Sequence, residues 1–423
     1  MRKTTTLLAA AALLLLATGA TTASAAPGDL DESFSKDGKV QLGFGGEYDD
    51  VTGRDVLVLS SGKVVVLTQL QKDGTSIFGV ARLKKSGAPD PGFHADGKRT
   101  TRFNGNDVPT RVVGRGQGRI LVAGSAGGAF GLAAYQADGR PDTSFGGDGK
   151  VTTDVTPGAD RVLHLRVLPD GRILAAGLAG NEFAVVRYLA DGTPDGTFGT
   201  DGILVTSDGF AGTPSAVTLQ PDGKLVAVGM SLANEDSING LAVARYDTDG
   251  TYDETFGGGD GHVESFPEFR EFSRGFAVLV QPDGRIVVGG TASGEGDYSR
   301  FCIARYTPEG ELDPTFADGG LNVHLFHPYY SRIFALARQG DGKVVAAGWT
   351  DREDATGAMA VARYRTDGEL DTTFSGNGKK IVGVGSRDTT GYGVAARFGR
   401  IVVVGDVLKK ERGTAGLVAR LKQ

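Results

Sequence analysis

The sequence predicts an all-β protein, a seven-bladed β-propeller of four-stranded blades, and three observations lead to this fold class. Three short patterns each recur seven times along the chain. Glycine accounts for 67 of the 423 residues, more than twice its usual share of about 7%, which is typical of many tight turns between short strands. No segment has the period and length of an amphipathic helix.

An Asp-x-x-Phe step is the first recurring pattern. It occurs at Asp31/Phe34, Asp90/Phe93, Asp142/Phe145, Asp195/Phe198, Asp253/Phe256, Asp313/Phe316 and Asp371/Phe374. The second pattern is a turn glycine followed by a basic residue, at Gly62-Lys63, Gly118-Arg119, Gly171-Arg172, Gly223-Lys224, Gly284-Arg285, Gly342-Lys343 and Gly399-Arg400. The third is an apolar run, at Phe78–Leu83, Phe130–Tyr135, Phe183–Tyr188, Leu241–Tyr246, Phe301–Tyr306, Met359–Tyr364 and Leu417–Leu421.

Four strands follow one another in each unit. Strand one follows the Asp-x-x-Phe step, as in Lys150–Thr153. Strand two runs to the turn (Ala216–Gln220), strand three leaves it (Lys224–Val228), and strand four is the last apolar run (Leu241–Tyr246). Pro221-Asp222-Gly223 predicts a hairpin between strands two and three, because Asp-Gly tolerates the positive φ of such turns. Both faces of strand four are apolar, so neighbouring units should cover both faces, as in a propeller.

The chain ends predict ring closure. The N-terminus supplies an Asp-x-x-Phe step and a strand one (Lys39–Phe44), whereas the C-terminus stops after a strand four (Leu417–Leu421). The N-terminal strand therefore completes the last blade, and residues Leu30–Phe44 should be essential to stability.

The repeats resemble the delta-sixty repeat, a family found in bacterial secreted proteins. The pattern is clearest at Leu219–Val228, Ala242–Tyr246 and Asp367–Phe374. It departs at Ser60-Ser61-Gly62, Ala134 and Phe398-Gly399. The resemblance implies a propeller-like fold and carries no general catalytic activity with it.

The first 25 residues have the features of a secretory signal peptide. Arg2 and Lys3 precede the apolar run Leu7–Ala17, and Ala23-Ser24-Ala25 is a small-residue cleavage signal. We expect cleavage after Ala25 and a single propeller domain over residues 26–423, secreted and without a membrane span. Cys302 is the single cysteine, so no intramolecular disulfide can form. The net charge of −6 argues against nucleic acid as a partner.

Residues that recur in most repeats are expected to be structural. The step Phe should pack between blades, and the step Asp should pair with a strand-four arginine. These arginines are Arg82, Arg187, Arg245, Arg305, Arg363 and Arg420. The acidic turns offer an alternative, calcium binding, at sets such as Asp191, Asp195 and Asp201 or Asp138, Asp142 and Asp148. Their order is not that of a dense calcium loop, so we assign no cofactor and no metal site.

Binding residues are expected on one face of the ring. The connections between strands one and two and between strands three and four emerge on the same face and vary in length, so we call this the irregular face. Variable loops on a constant scaffold are common binding elements. In the fifth and sixth units they contain Phe269, Phe272, His327, Tyr329 and Tyr330. Aromatic residues beside charges suit sugars or peptides, although the rings could instead fill gaps in the core.

Five arginines, each expected to precede strand two of its blade, form a second candidate site. They are Arg54, Arg111, Arg161, Arg274 and Arg332. If strand two is innermost, these side chains lie at the mouth of the central channel and favour an anionic ligand. The alternative is that each pairs with a nearby acid such as Asp55 or Asp160.

No catalytic motif stands out. His324 and His327 could share a metal, but a third ligand at useful spacing is lacking, and Cys302 has the character of a core residue. We therefore interpret the chain as a secreted binding or interaction scaffold that uses its irregular face. Expected partners are an extracellular polysaccharide, a peptide or another secreted protein, with the chain as a monomer. The alternative is an extracellular enzyme of hydrolase or lyase type with its site at the channel mouth. A third hypothesis is a purely structural module that takes part in surface assembly.

Overall fold

A computed structural model describes residues 26–206, 210, 212–231, 239–266, 272–293, 298–326, 330–354 and 356–423. These residues form seven four-stranded antiparallel sheets arranged in a ring, which confirms the predicted seven-bladed β-propeller. Within these ranges, no helix has the length and apolar character needed to cross a membrane.

The described helical segments are short, namely α1 (Ser35–Gly38) and a 3₁₀ turn (Gly257–Gly259). The first strand is β1 (Lys39–Leu42). Blade 1 contains β2 (Asp50–Val58), β3 (Val64–Lys72), β4 (Thr75–Leu83) and β5 (Lys98–Thr101). Blade 2 contains β6 (Val108–Gly114), β7 (Ile120–Ala126), β8 (Ala129–Tyr135) and β9 (Lys150–Thr153). Blade 3 contains β10 (Arg161–Val167), β11 (Ile173–Ala179), β12 (Glu182–Tyr188) and β13 (Ile203–Val205).

Blade 4 contains β14 (Gly212–Leu219), β15 (Leu225–Ser231), β16 (Leu241–Tyr246) and β17 (His262–Ser265). Blade 5 contains β18 (Phe272–Val280), β19 (Ile286–Ser293), β20 (Ser299–Tyr306) and β21 (Leu321–His324). Blade 6 contains β22 (Ser331–Arg338), β23 (Val344–Asp351), β24 (Gly357–Tyr364) and β25 (Lys379–Val382). Blade 7 contains β26 (Thr389–Arg397), β27 (Arg400–Leu408) and β28 (Thr414–Lys422), and β1 completes it.

The predicted ring closure is confirmed. Strand β1 pairs with β28 in antiparallel register, with Lys39 opposite Ala419 and Leu42 opposite Gly416. The predicted strand two is the innermost strand of every blade, because β2 contacts both β6 and β26, and β18 contacts both β14 and β22. The β-hairpins between strands two and three therefore lie on the face opposite the irregular face, which we call the hairpin face.

The hydrophobic core is divided into clusters that each span two neighbouring blades. At the closure seam, Phe34 packs in one cluster with Val66 of blade 1 and Val404 of blade 7. Phe34 is fully buried, as are the step residues Phe93 and Phe145. The expectation that the step Phe packs between blades is thus confirmed, and the N-terminal segment closes the ring with an ordinary core contact.

An Arg–Asp ion pair recurs within the blades, and in blades 1, 4, 5 and 7 its arginine also donates to a carbonyl oxygen of the next blade. We call this arrangement the blade latch. In blade 5, Arg305 Nε lies 2.8 Å from Asp313 Oδ2, and its guanidinium lies 4.5 Å from the centre of the Phe316 ring. The same guanidinium donates through Nη1 to the carbonyl oxygen of Thr366 in blade 6, at 2.6 Å. The Arg–Asp pair recurs at Arg82–Asp90, Arg187–Asp195, Arg245–Asp253, Arg363–Asp371 and Arg420–Asp31, which confirms the predicted pairing.

A glycine of the next blade leaves room for the ring of the step Phe. Gly192, in the turn after β12, has φ +88°, and a Cβ there would lie 2.7 Å from the Phe145 ring of blade 2. Glycine is needed at this position for both reasons, since other residues disfavour positive φ and would clash with the ring.

Blade 2 builds its latch from a different arginine. Ala134 stands where the other blades have the strand-four arginine, and Arg115 from the β6–β7 hairpin fills the gap. Its Nη1 lies 3.5 Å from Asp142 Oδ2, and its guanidinium lies 5.2 Å from the centre of the Phe145 ring. Its Nη2 donates to Ala190 O of blade 3 at 2.6 Å. The latch geometry is kept although the sequence position has changed.

The closure seam gives a test of the blade latch. Asp31 is 2% exposed and accepts from Arg420 Nε at 2.9 Å and from Arg400 Nε at 2.6 Å. Asp31→Ala should lower the free energy of unfolding by about 3 kcal/mol, because it leaves a buried guanidinium without its counter-charge. Chemical denaturation of residues 26–423 measures this loss.

Asp37→Ala is the matched control from the same segment. Asp37 is 61% exposed and its one ion pair, with Lys39, spans 3.6 Å, so its loss should change stability by less than about 0.5 kcal/mol. Equal losses in the two variants would contradict a special role for the latch at the seam.

Candidate functional site

The seven innermost strands line the central channel, and each contains a β-bulge at the same position. The residue at the bulge is Arg54, Thr110, Leu163, Ser215, Phe276, Phe334 or Tyr392 in blades 1 to 7. A bulge inserts one unpaired residue and redirects the side chains around it. The seven bulge residues form a ring of differing side chains, which we call the bulge ring.

Strand three accommodates the bulge with a glycine in six blades. In blade 5, a Cβ on Gly290 would lie 1.9 Å from the carbonyl oxygen of Arg274. In blade 7, a Cβ on Gly405 would lie 1.7 Å from the carbonyl oxygen of Thr390. Glycine permits this close approach of two backbones.

Three aromatic residues of the bulge ring are neighbours in blades 5 to 7. The ring centres of Phe276 and Phe334 are 5.7 Å apart, and those of Phe334 and Tyr392 are 5.6 Å apart. The Arg54 guanidinium continues this arc into blade 1, 5.2 Å from the centre of the Tyr392 ring. Such a distance is that of a cation–π contact.

A cavity of about 460 Å³ lies in the channel between the bulge ring and the hairpin face. Its wall in blades 1 to 3 is polar and cationic, with Arg54, Asp55, Arg111, His164 and Arg166. Its wall in blades 5 and 6 is apolar, and includes Ala277, Val278, Leu279, Val280, Phe334 and Leu336. This volume and this mixture of surfaces suit a small organic ligand.

The five predicted arginines lie within strand two rather than before it, and they occupy three different positions. Arg54 is at the bulge and Arg111 follows it, so both line the cavity. Arg161, Arg274 and Arg332 lie two residues before the bulge, towards the irregular face. Among the described residues, none of the five forms an ion pair with a carboxylate.

Arg54, Arg111 and Arg161 come together in adjacent blades. Burial lowers the pKa of Arg161, and the positive charges of Arg54 and Arg111 lower it further. The Arg161 Nε is buried and has no hydrogen-bond partner in the described part of the chain. Arg54 Nε donates to Gln69 Oε1 at 3.1 Å, and Arg111 Nη1 donates to Thr110 O at 2.8 Å. Arg54 and Arg111 therefore bond to neutral acceptors, and the Nε of Arg161 bonds to none of the described residues.

The two acids named as alternative partners have other contacts. Asp55 accepts backbone hydrogen bonds from Val56 and from Val112 of blade 2, both at 2.9 Å. Burial raises the pKa of Asp55, and Arg111 opposes this shift. Asp160 accepts from the Val155 and Thr156 amides at 2.8 and 3.0 Å, which fixes its own loop.

His164 is a cavity residue that the sequence interpretation did not select. Burial lowers its pKa to about 3, with Arg111 and Arg166 contributing, so the imidazole is neutral at pH 7. Its Nδ1 lies 3.3 Å from Thr218 Oγ1, and its buried Nε2 has no hydrogen-bond partner among the described residues. A neutral imidazole with a free nitrogen can accept or donate a hydrogen bond to a ligand.

The candidate aromatic residues on the irregular face are described in part. Phe272 begins β18 and is half-buried, and Tyr330 is 39% exposed. The ring of Tyr330 lies 5.7 Å from that of Tyr298. Phe269, His327 and Tyr329 lie outside the described residues.

Two other residues considered for chemistry belong to the core. His324 packs against Phe301 and Tyr364, and burial lowers its pKa to about 3. Cys302 is buried, which raises its pKa to about 12.

The acidic turns use their carboxylates for local contacts. Asp191 accepts from the Thr193 amide at 2.9 Å, and Asp195 accepts from Arg187 and Thr197. Within the described ranges, no group of three or more His, Cys, Asp or Glu side chains is arranged to hold a metal ion. Calcium binding stays an untested alternative.

A buried carboxyl group flanks the arginine cluster. Asp406 lies in β27 and its Oδ2 accepts from Thr52 Oγ1 at 3.3 Å. Burial raises the pKa of Asp406 to about 6, whereas Thr52 and the charge of Arg54 oppose the shift. This carboxyl is therefore half-protonated near pH 6.

Asp406 generates a prediction about stability. Its folded pKa is about 6 and its usual value is 3.8, so its ionisation destabilises the fold as pH rises from about 4 to 6. Asp406→Asn should therefore raise the free energy of unfolding by about 1–2 kcal/mol at pH 7.5. The gain should disappear at pH 3.5, where the carboxyl is protonated in both states. Denaturation at both values measures it.

Glu411→Gln is the control, because Glu411 is exposed in the loop after the same strand. It should have no effect at either pH. A loss of stability in Asp406→Asn at pH 7.5, or an equal gain at both pH values, would contradict the assignment.

Comparison with known proteins supports the fold. A family model described as "Domain of unknown function (DUF5122) beta-propeller" matches residues 118–145, 168–198, 220–256, 281–316 and 339–374. No match was found among curated protein sequences.

Solved structures with a similar fold include the polysaccharide lyase Uly1, with 11% identity and a TM-score of 0.53, covering 93% of this chain and 95% of that chain. Semaphorin 2a from Drosophila has 9% identity and a TM-score of 0.50, covering 90% and 74%. A protein of unknown function from Dyadobacter fermentans has 14% identity and a TM-score of 0.45, covering 91% and 97%. Structural similarity at such low sequence identity is evidence about the fold alone. The five matched segments are similar to a β-propeller repeat, in agreement with the observed fold.

Proposed function

We propose that this protein is a secreted binding scaffold of delta-sixty repeats whose central channel binds an organic anion. The leader in residues 1–25 supports export, and the Pro-Asp-Gly and Ala-x-Arg-Tyr motifs support the repeat assignment. The site is the cavity between the bulge ring and the hairpin face.

The main observation in favour of this proposal is the cluster of Arg54, Arg111 and Arg161. Three partly buried positive charges lie close together, and described residues provide no carboxylate within ion-pair distance. Asp55 and Asp406 lie near the cluster but beyond ion-pair distance, and burial raises the pKa of both carboxyl groups, so a bound anion would stabilise the cluster. Guanidinium groups also match the planar shape of a carboxylate.

The opposite wall defines the rest of the ligand. Leu279, Phe334 and Leu336 present an apolar surface across the cavity from Arg54 and Arg111. A ligand with a carboxylate at one end and an apolar or ring-shaped body would contact both walls. Free phosphate would leave the apolar wall unused.

Partners at the irregular face form the second part of the proposal. Tyr330 is 39% exposed and Phe266 is 41% exposed, and both lie in connections between strands one and two. Exposed aromatic side chains suit a polysaccharide, a peptide or another secreted protein. The protein would then hold a small anion in its channel and a larger partner at its loops.

Titration calorimetry with phenylacetate tests the channel site. Phenylacetate should bind residues 26–423, and phenylacetamide should not. Arg54→Gln/Arg111→Gln should weaken binding at least about tenfold, because charge-assisted hydrogen bonds contribute about 1.5–3 kcal/mol. The thermal midpoint of this variant should not fall, since fewer like charges are buried.

Arg338→Gln is the control, because Arg338 is exposed at the end of β22 and lies outside the cavity lining. It should bind like the wild type. Equal affinity of the double variant and the wild type would refute the channel site.

An extracellular enzyme at the same cavity is the second candidate, and His164 is the observation that favours it. An anion bound by the arginines would offset their charges and raise the pKa of His164, so that the neutral imidazole could then take a proton from that substrate. This arrangement would suit a hydrolase or a lyase acting on an acidic sugar.

The two functions differ in turnover. Wild-type protein incubated with an acidic polysaccharide should release no new chain ends if it only binds. Release of chain ends that disappears in His164→Gln, with phenylacetate binding retained, would establish the enzyme instead.

A further inference from the structure

The hairpin face has a basic groove at the closure seam, and none of the residues that line it also lines the channel cavity. It has a volume of about 620 Å³ and lies between the hairpins of blades 7 and 1. Its cationic side chains are Lys85, Arg397, Arg400 and Arg420, and its hydroxyl groups come from Ser33, Ser60 and Ser86. A second cavity of about 620 Å³ on the blade 6 side also contains Arg397 and Phe398. The two cavities are thus adjacent, with Arg397 and Phe398 in the wall of both.

The turn of blade 7 differs from the other hairpins. Strand β26 ends at Arg397 and β27 begins at Arg400, so the turn contains two residues, Phe398 and Gly399. In blade 1, by contrast, the turn spans residues 59–63, between β2 and β3. The tight turn of blade 7 places one side chain, that of Phe398, between the two cavities.

Phe398 is unfavourable at this position by two criteria. Its φ is +54° and that of Gly399 is +69°, as in a type I′ turn, where Asn or Asp is the preferred first residue. A bulky residue seldom adopts positive φ. The ring is also 58% exposed. Neither turn formation nor core packing accounts for phenylalanine here, whereas contact with a ligand does.

The groove is positively charged although the chain has a net charge of −6. Asp31 is the carboxylate partner of both Arg400 and Arg420. Arg397 donates to Val58 O at 2.8 Å, and its guanidinium lies 4.7 Å from the centre of the Phe398 ring. Among the described residues, neither Arg397 nor Lys85 forms an ion pair. Two cations therefore remain available beside an exposed ring.

We propose that this groove binds an acidic polysaccharide. A sugar ring stacks on Phe398, its carboxylates pair with Arg397 and Lys85, and its hydroxyl groups bond to the serines. The groove is lined by turn and loop residues together with one or two residues from each of β2, β3, β26, β27 and β28, so it does not run along a strand edge to which a peptide could add. The two adjacent cavities, on either side of Phe398, suit an extended chain of repeated units. This site does not depend on the channel.

Affinity electrophoresis with polygalacturonate tests the site, with neutral dextran as a second gel. Wild-type residues 26–423 should be retarded by polygalacturonate and unaffected by dextran. Phe398→Asn should weaken retardation at least about tenfold in apparent Kd. Its thermal midpoint should equal or exceed that of the wild type, because Asn-Gly is the favoured type I′ pair. Arg397→Gln should also weaken binding.

Leu408→Asn is the matched control, because Leu408 is a 45% exposed side chain at the other end of β27. It should bind like the wild type. Unchanged retardation of Phe398→Asn would overturn the proposal, as would absence of retardation of the wild type. Tighter binding of polyglutamate than of polygalacturonate would overturn the polysaccharide assignment in favour of an acidic peptide. Arg54→Gln/Arg111→Gln should be retarded normally, which separates this site from the channel.

Discussion

The blade latch is the contact on which the rest of the structure depends. In each latch an arginine pairs with the step Asp of its own blade and covers the step Phe, and in blade 5 Arg305 also donates to a carbonyl of blade 6. Such a buried pair fixes geometry more than it adds energy, because desolvation offsets much of the attraction. Removing one partner, however, leaves a charge buried without compensation. Repetition of the latch around the ring therefore fixes the position of each blade.

The innermost strands are consequently free to vary. The latch lies at the hairpin face and the core clusters lie between blades, whereas the channel is lined by bulge residues that differ between most blades. Because these positions are not needed to hold the ring, Arg54 and Arg111 can face an apolar wall that includes Phe334. A scaffold with constant outer contacts and variable inner ones is well suited to binding. Phe398 is likewise free to vary, since its side chain is exposed, whereas Arg400 after the same turn pairs with Asp31.

The sequence was sufficient to predict the blades, the ring closure and the Arg–Asp pairing, because each rests on a pattern that repeats. The bounds of β9 and β16 agree with the prediction to the residue. The bulges were not predicted, since an inserted residue leaves the apolar pattern intact but changes which side chains face the channel. For this reason the five arginines occupy three positions, and His164 was overlooked. The sequence did contain a sign of the bulges: in blades 1 to 6 the bulge residue lies eight positions before the turn glycine, and its type varies from blade to blade. Replacement of the missing arginine at Ala134 by Arg115 could not be inferred, because it depends on proximity in three dimensions.

The most direct test of the blade latch uses the exception in blade 2. Arg115→Ala should destabilise the protein by about 3 kcal/mol in chemical denaturation, because Asp142 loses its buried partner. Adding Ala134→Arg places an arginine at the position used in the other blades and should restore most of the lost free energy of unfolding. If the double variant is no more stable than Arg115→Ala alone, the latch is not the interaction that holds neighbouring blades together.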